Sequence, residues 1–425
     1  MKRIITLVAF VVAALSLQAR SPQIGSTPLK SYNIVYDASA DPEMGSEAAL
    51  RLQASIKEAF GIELPVLEDG AKSSAKKILI VGTPYEQGPF VYSGSIDKGN
   101  LVLSAGGCWA FDELASRMLA AIRDGRLSSK FSCKGSVEGE FLFPREEGVN
   151  LRILDDNIWL YDSATSQEEW KKAGVECTNG VRAPQFAQLV RAYMPDVIGF
   201  QEMSMPMRGF FNPLVEGWGY KEAFKVPEGT RDDTPVYYNE NTVELLGSDY
   251  CLFTPSKWSN SNTKSFTWGA FRLKENGKTF ILLSTHLWWK GDDVQKGSTF
   301  ARAAQIRLVM AEVECLKEKY NCPVFVVGDM NCHESSLPIQ QFISSGYVPC
   351  YKAATGFTSQ TKGHHPCGPH IVGNRTNLEK PRAEAIDHCF LYNGGATKIR
   401  NFKVETSSFT ILLTDHCPNI IDAVL

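Results

Sequence analysis

The hydrophobic positions of this chain change rhythm near residue 145. Before that point, short apolar runs alternate with segments of helical period. "YNIVYD", from Tyr32, reads as a strand, and "SEAALRLQASIKEAFGIELPV" places Ala49, Leu52, Ile56 and Phe60 on one helix face. "KILIVG" (77–82) and "NLVLSAGG" (100–107) predict two more strands, and "FDELASRMLAAIRDG" a second helix. Residues 132–148, "SCKGSVEGEFLFPREEG", are polar, carry glycines and contain a proline, as a linker does. The pattern thus divides the chain into a small α/β domain over 20–131, a linker over 132–148 and a larger domain over 149–425. There is no internal repeat and no low-complexity tract.

In the larger part, apolar runs stop at polar groups. "LRILDDNIW" delivers Asn157, "PDVIGFQEM" delivers Gln201 and Glu202, "FILLSTHLWW" delivers His286, and "FVVGDMN" delivers Asp329 and Asn331. "AIDHCFLY" carries Asp387, and "FTILLTDHCP" ends in Asp415 and His416. Taken singly, each has an ordinary explanation: a turn, a helix start, a satisfied core histidine, a cap. Together they imply ends that converge on one rim, because burying so many uncompensated polar groups would be prohibitive. A hydrated, metal-loaded site explains them at lower cost.

Length, composition and charge narrow the function. At 425 residues and 44% hydrophobic content the chain can bury a sizeable core in two domains. Its first 19 residues, "MKRIITLVAFVVAALSLQA", set Lys2 and Arg3 before an apolar run that ends on a small residue. That is the pattern of a secretory signal peptide over 1–19 cleaved after Ala19, and it predicts a periplasmic or extracellular protein. No other segment approaches the roughly 18 apolar residues of a membrane span. Removing Lys2 and Arg3 takes the formal charge from -3 to -5. With no basic cluster to neutralise phosphates, nucleic acid is a disfavoured partner. Eleven cysteines, an odd number without CxxC spacing, read mostly as buried thiols with room for one or two bridges.

The residue types at the rim then limit the chemistry. Carboxylate and amide oxygens flanked by histidines suit a hard cation such as Mg²⁺ or Mn²⁺. Such a site polarises a phosphoryl oxygen while a carboxylate orients or deprotonates water. Phosphoester hydrolysis is the expected reaction.

"VIGFQE", "STHL", "VVGDMN", "AIDHCF" and "TDHCP" stand in the order and approximate spacing of the endonuclease/exonuclease/phosphatase superfamily, which the stretch 149–425 resembles. The resemblance implies a four-layered α/β sandwich, two packed mixed sheets flanked by helices, that hydrolyses phosphoesters with Mg²⁺. It implies that Glu202 is the principal metal ligand, supported by Asn157, with Asp415 a further metal-side carboxylate. It implies that Asp329 positions the attacking water, with Asn331 holding it or the phosphate, and that His416 is a catalytic histidine oriented by Asp387. His286 is similar to the second catalytic histidine of the deoxyribonuclease, sphingomyelinase and phosphatase branches. The abasic-site endonuclease branch lacks that histidine.

Two positions depart from the family pattern. Where a glutamate usually pairs with the histidine of "THL", "DDTPVYYN" supplies Asp232, one methylene shorter, and Asn239 stands where arginine is usual. Where an arginine usually contacts phosphate, "KSFTW" supplies Lys264, a point charge without the bidentate fork.

Other features carry weaker signals. Trp288 and Trp289 follow His286 and could wall a substrate pocket, although strand alternation sends one of the pair to the core. Arg302 and Gln305 fall in a helical apolar period and read as packed helix. Residues 361–380 form a long histidine-bearing loop that reads as a lid rather than a zinc site, and "NRT" at Asn374 fits a glycosylation acceptor. The small N-terminal domain resembles, through "LPVL", "ILIVG" and "GG" before a helix, the α/β domain that precedes the catalytic barrel of several exported glycoside hydrolases. The expectation is an exported, metal-dependent phosphoesterase acting on a lipid, glycan-linked or small phosphoester. A secreted nuclease and a non-catalytic phospho-ligand or glycan-binding protein are the alternatives.

Overall fold

Runs of valine, isoleucine and phenylalanine form the strands that were legible in the sequence, because both faces of those strands are covered. The computed structural model describes residues 21–37, 45–71, 74–82, 90–106, 108–125, 127–128, 130–137, 143–160, 167–168, 178–226, 233–253, 264–357, 381–405 and 414–425. The expected signal peptide, Asp232 and the loop 361–380 lie outside them. The chain divides after Glu138 into two compact units.

The first unit begins with a small ladder of β1 (Gln23–Ile24) and β2 (Thr27–Pro28). Its main sheet has six strands. Four of them, β3 (Tyr32–Tyr36), β4 (Val66–Glu68), β5 (Lys76–Gly82) and β7 (Asn100–Ala105), run parallel. Helices α1 (Ser46–Phe60) and α2 (Cys108–Arg123) pack on this sheet, and α1 buries Ala49, Leu52 and Ile56 as its period predicts. Three strands of this sheet escape the sequence reading: the short β4, then β6 (Val91–Asp97), which runs antiparallel to β7, and β8 (Ser132–Ser136), which runs antiparallel to β6 at the edge. β8 corrects the expected linker, whose first residues are an edge strand. "SCKGS" buries no side chain fully, so it carries no hydrophobic period and owes its conformation to pairing with β6.

The second unit is a sandwich of two mixed sheets. One holds β9 (Leu151–Asn157), β10 (Val197–Gln201), β11 (Tyr220–Glu222), β12 (Val236–Asn239), β18 (Gly356–Phe357), β20 (Lys398–Val404) and β21 (Asn419–Val424). The other holds β13 (Val243–Leu252), β14 (Ser265–Leu273), β15 (Thr279–His286), β16 (Val324–Asp329), β17 (Val348–Pro349) and β19 (Asp387–Tyr392). Alternate residues of the central strands meet between the sheets: Leu151, Ile153 and Val197 from one, Phe280, Leu282, Phe325 and Val327 from the other. Gly199 lets them approach, since a Cβ there would lie 2.7 Å from Val327 Cγ2.

Helices cover both outer faces. Phe211 of α4 (Met205–Val215) packs edge-on against Phe200 and Tyr237, beside α3 (Asn179–Tyr193). On the other side Ile306, Val309 and Val313 of α5 (Ser298–Tyr320) and Ile339 and Phe342 of α6 (Leu337–Ser344) cover Ile281, Leu283, Val324 and Val326. Helix, sheet, sheet and helix make the four layers that the family resemblance implied. All eight described cysteines whose thiols are placed are free, five of them buried, so no bridge joins these.

Candidate active site

The direction of the strands brings the polar groups together. β9 runs parallel to β10, and β15 parallel to β16, so Asn157, Gln201, His286 and Asp329 finish their strands at one rim. β19 and β21 run the other way, so the rim meets their beginnings: Asp387 opens β19, and Asp415 and His416 precede β21. Residues 409–413, the first part of the strand expected to lead to His416, lie outside the described residues. His286, Asp329 and Asp387 are cross-strand neighbours in register, as are Asn157 and Gln201. All five continue the inward-facing stripe of their strands, so the apolar core between the sheets ends in polar side chains.

Asp329 Oδ2 is the hub. Asn157 Nδ2 donates to it at 3.0 Å, His286 Nε2 lies 3.3 Å away and His416 Nε2 3.9 Å. Its Oδ1 accepts the backbone N–H of Asn331 at 2.9 Å, and Asn331 Nδ2 reaches back to the Leu287 carbonyl at 3.1 Å. Gly328 makes this turn feasible: with φ at +138°, a Cβ would lie 2.0 Å from the Thr285 carbonyl oxygen of the neighbouring strand. Gly328→Ala is therefore expected to cost about 3 kcal/mol or more, read as a lower denaturation midpoint. An unchanged midpoint would remove this account of "VVGDMN".

Burial would push Asp329 up, but the hydrogen bond and charge of His286, with His416 and Lys264 beyond, hold it well below the usual carboxylate range. His416 is drawn the opposite way. Its Nδ1 lies 2.9 Å from both oxygens of Asp387, and its Nε2 is 3.7 Å from Asp415. Burial alone would lower it, yet the charges of Asp387 and Asp415, the Asp387 hydrogen bond and Asp329 hold it well above the ordinary histidine value. One oxygen each of Asp329 and Asp387 and one nitrogen of His416 lie within 4.8 Å of one another. Because His416 Nδ1 already engages Asp387, this trio is better described as a hydrogen-bonded acid–histidine pair facing a second acid than as a cation cage.

Of the three oxygen donors that suit a hard cation, Glu202 is the most open, while Asn157 and Asp415 are buried. Glu202, at a φ of +59°, projects beyond β10 with its side chain a quarter exposed. Its Oε2 accepts the Leu160 N–H at 2.7 Å, and Asn157 Oδ1 accepts the adjacent Trp159 N–H at 3.1 Å, so consecutive amides hold the two side by side. Glu202 Oε1 is 3.8 Å from His286 Nε2. Glu202, Asn157 and Asp415 supply oxygen only, a set that fits a divalent cation of the Mg²⁺ and Mn²⁺ kind and offers no thiolate.

Lys264, just before β14, is buried with its Nζ hydrogen-bonded to His286 Nε2. Burial lowers its pKa, against the opposing pull of Glu202, Asp329 and Asp233. The partner expected for His286, Asp232, lies outside the described residues, and His286 Nδ1 has no hydrogen bond among those described.

Trp288 is corrected from substrate wall to core. It is only 1% exposed and donates Nε1 to Ser298 Oγ at 3.1 Å, while Trp289 is the half-exposed member of the pair. Gln305 accepts the Trp288 N–H at 2.9 Å and Arg302 donates to the Lys290 carbonyl at 2.7 Å, so both brace the loop that leaves His286.

Sequence reasoning missed the layer beneath. Asp155, two residues before Asn157 on the same face, accepts from Gln201 Nε2 and Asn419 Nδ2, each at 3.0 Å, and Gln201 also donates to Ser284 Oγ at 3.0 Å. Burial pushes its carboxyl up to about 7 against these donors, with Asp387 adding to the rise. The paired acids in "LDDN", inside an otherwise apolar run, were the available signal.

The two-sheet sandwich that carries this rim is the architecture of several solved proteins. An endonuclease/exonuclease/phosphatase family protein from Bacteroides thetaiotaomicron superposes with a TM-score of 0.52 at 17% identity, over 65% of this chain and 98% of that one. The mannosyl-6-phosphatase of the same organism gives 0.50 at 17% identity, over 65% and 100%. A functionally unknown conserved protein from Enterococcus faecalis gives 0.50 at 16% identity, over 64% and 99%. At these identities the likeness is one of fold. No curated protein matches the chain. The model of the Endonuclease/Exonuclease/phosphatase family matches residues 178–416, more than half of the sequence, and the chain belongs to that family.

Proposed function

We propose that this protein is an exported phosphoesterase that uses Mg²⁺ or Mn²⁺ to hydrolyse a lipid, glycan-linked or small-molecule phosphoester by in-line attack of water. The observation that carries the reading is Asp329 Oδ2, faced by Asn157, His286 and His416 on a rim that also holds Glu202. Glu202, with Asn157 and Asp415, would hold the cation, which when bound polarises a phosphoryl oxygen and offsets charge on the leaving group.

The protein's own groups do the rest. Asp329, held below its ordinary range, is a weak base, so it acts chiefly by orienting a water towards phosphorus, with Asn331 fixing the carboxylate's angle. His416, kept protonated by Asp387 and Asp415, donates towards the negative charge that develops on the phosphoryl oxygens. His286 donates or accepts beside it, and Lys264 supports the phosphate as a point charge. The apolar "LVAFVVAALSL" after Lys2 and Arg3 supports export. None of the helices among the described residues is long and apolar enough to cross a membrane.

The test is a panel assay on full-length protein with bis-p-nitrophenyl phosphate, p-nitrophenyl phosphate, mannose 6-phosphate, sphingomyelin, inositol phosphates and plasmid DNA. Hydrolysis of DNA alone would replace this reading with that of a nuclease. Binding of a phosphorylated ligand without any turnover would replace it with that of a binding protein. Activity is expected to vanish with chelator and to return with Mg²⁺ or Mn²⁺ more readily than with Zn²⁺, and Glu202→Gln to need a higher metal concentration for the same rate. Full activity in chelator would remove the metal from the reading.

A further inference from the structure

The acid–histidine pair of the rim is assembled from two sheets. Asp387 is the first residue of β19, whereas His416 stands three residues before Asn419, the first residue of β21 in the other sheet. The pair therefore depends on how these two strand starts are held together. Elsewhere along the rim Asn157 ties β9 to Asp329 of β16, and Gln201 ties β10 to Ser284 of β15. At β19 and β21 the tie is Arg382, which opens a short 3₁₀ turn (Arg382–Glu384) and is buried. Its Nη2 donates to the Asp387 carbonyl at 2.6 Å and to Asn419 Oδ1 at 3.1 Å. Phe402 of β20 lies against the guanidinium, with its ring centroid 5.2 Å from Cζ, and Asn419 Nδ2 carries the link on to Asp155 of β9 at 3.0 Å. A packing role alone would not select arginine here, because a buried charge is costly unless an acid neutralises it. Among the described residues its hydrogen bonds go to two neutral oxygens, and its Nε has no acceptor.

We propose that Arg382 is the positioning residue of the acid–histidine pair: by bridging the starts of β19 and β21 it fixes the separation of Asp387 and His416, and with it the direction in which the imidazole presents Nε2. Its effect passes through that pair, since both of its acceptors lie on the strand starts that carry the two residues. Arginine suits the role because a planar, permanently charged group makes strong, directed hydrogen bonds to carbonyl and amide oxygens. A catalytic group held from behind in this way keeps the angle that its reaction needs. The consequence for turnover rests on the reading in which His416 donates to charge developing on the phosphoryl oxygens, whereas the bridge itself does not.

The test compares the full-length parent with Arg382→Lys, Arg382→Met, Asp387→Asn and the double variant Arg382→Met/Asp387→Asn. Arg382→Met is expected to lower kcat about tenfold or more while KM changes less than about twofold. Arg382→Lys, which keeps a charged donor, is expected to recover part of that loss. The double variant is expected to be no slower than Asp387→Asn alone, because the arginine then has no pair to position. A readout independent of turnover is the downfield NMR signal of the His416 Nδ1–H held against Asp387, recorded with isotope-labelled histidine and identified by its absence from His416→Gln. In Arg382→Met that signal is expected to broaden or move upfield. If Arg382→Met does not fold, Arg382→Gln, which keeps a neutral donor, carries the comparison. An unchanged imidazole signal would overturn the proposal even where the melting temperature falls, since the loss would then be one of packing. Losses that add in full in the double variant would overturn it as well. A signal that moves as expected in a protein that hydrolyses nothing on the panel would uphold the bridge and overturn the phosphoesterase reading instead.

Discussion

Asp329→Asn is expected to lower turnover by at least about a hundredfold while leaving the fold intact. The substitution keeps the size of the side chain and one acceptor for its donors, and removes the charge that faces Asn157, His286 and His416. Substrate affinity should change little, because losing a carboxylate also relieves repulsion against the phosphate. Steady-state kinetics on the best substrate of the panel, with circular dichroism as the fold control, decide the matter. Turnover equal to that of the parent would show that the water is oriented elsewhere.

The second large effect concerns the other acid. Asp387→Asn is expected to cut turnover about a hundredfold or more at pH 8 and to move the alkaline limb of the pH–rate profile to lower pH. The sign follows from His416. Its folded-state pKa is raised by Asp387 and Asp415, so the imidazolium persists through neutrality in the parent and loses its main support in the variant. Stability is linked in the same sense. The contribution of charged His416 is complete below its unfolded value of about 6.5 and is lost as pH rises through the higher folded value. Asp329, depressed when folded, contributes above the unfolded carboxylate value and loses that contribution as pH falls. A pH–rate profile that Asp387→Asn scales without shifting would assign Asp387 to packing alone.

The strands that carry these residues were legible because two layers bury them. β10, β15 and β16 are buried at nearly every position, so each appears in the sequence as an apolar run that turns polar towards the rim, and in β9 only the buried Arg152, paired with Asp422, interrupts that pattern. β6 and β8 were not legible, since half of their positions face water and their identity as strands comes from pairing. Asp155 was passed over for a related reason. A buried acid is recognisable only through its partners, and Asn419, Gln201 and Cys389 arrive from three distant parts of the chain. Trp288 and Trp289 show the limit of alternation as a guide: it states that the pair splits, while Ser298 and Gln305 determine which ring goes inward. The placing of Lys264 on His286 had no sequence signal, because twenty-two positions separate them and their contact depends on the β14–β15 register.

The last strand in the sequence, β21, lies in the middle of its sheet, between β9 and β20, and the loop just before it carries Asp415 and His416. During synthesis, β9 must therefore wait for a partner that emerges some 260 residues later, and until then it is paired on one side only, with β10. Until then the rim lacks its protonated histidine, and the carboxylates of Asp329 and Asp387 face an open edge. Closure of the rim is in this way tied to the synthesis of β21: a chain stalled or clipped before that strand leaves its sheet unclosed.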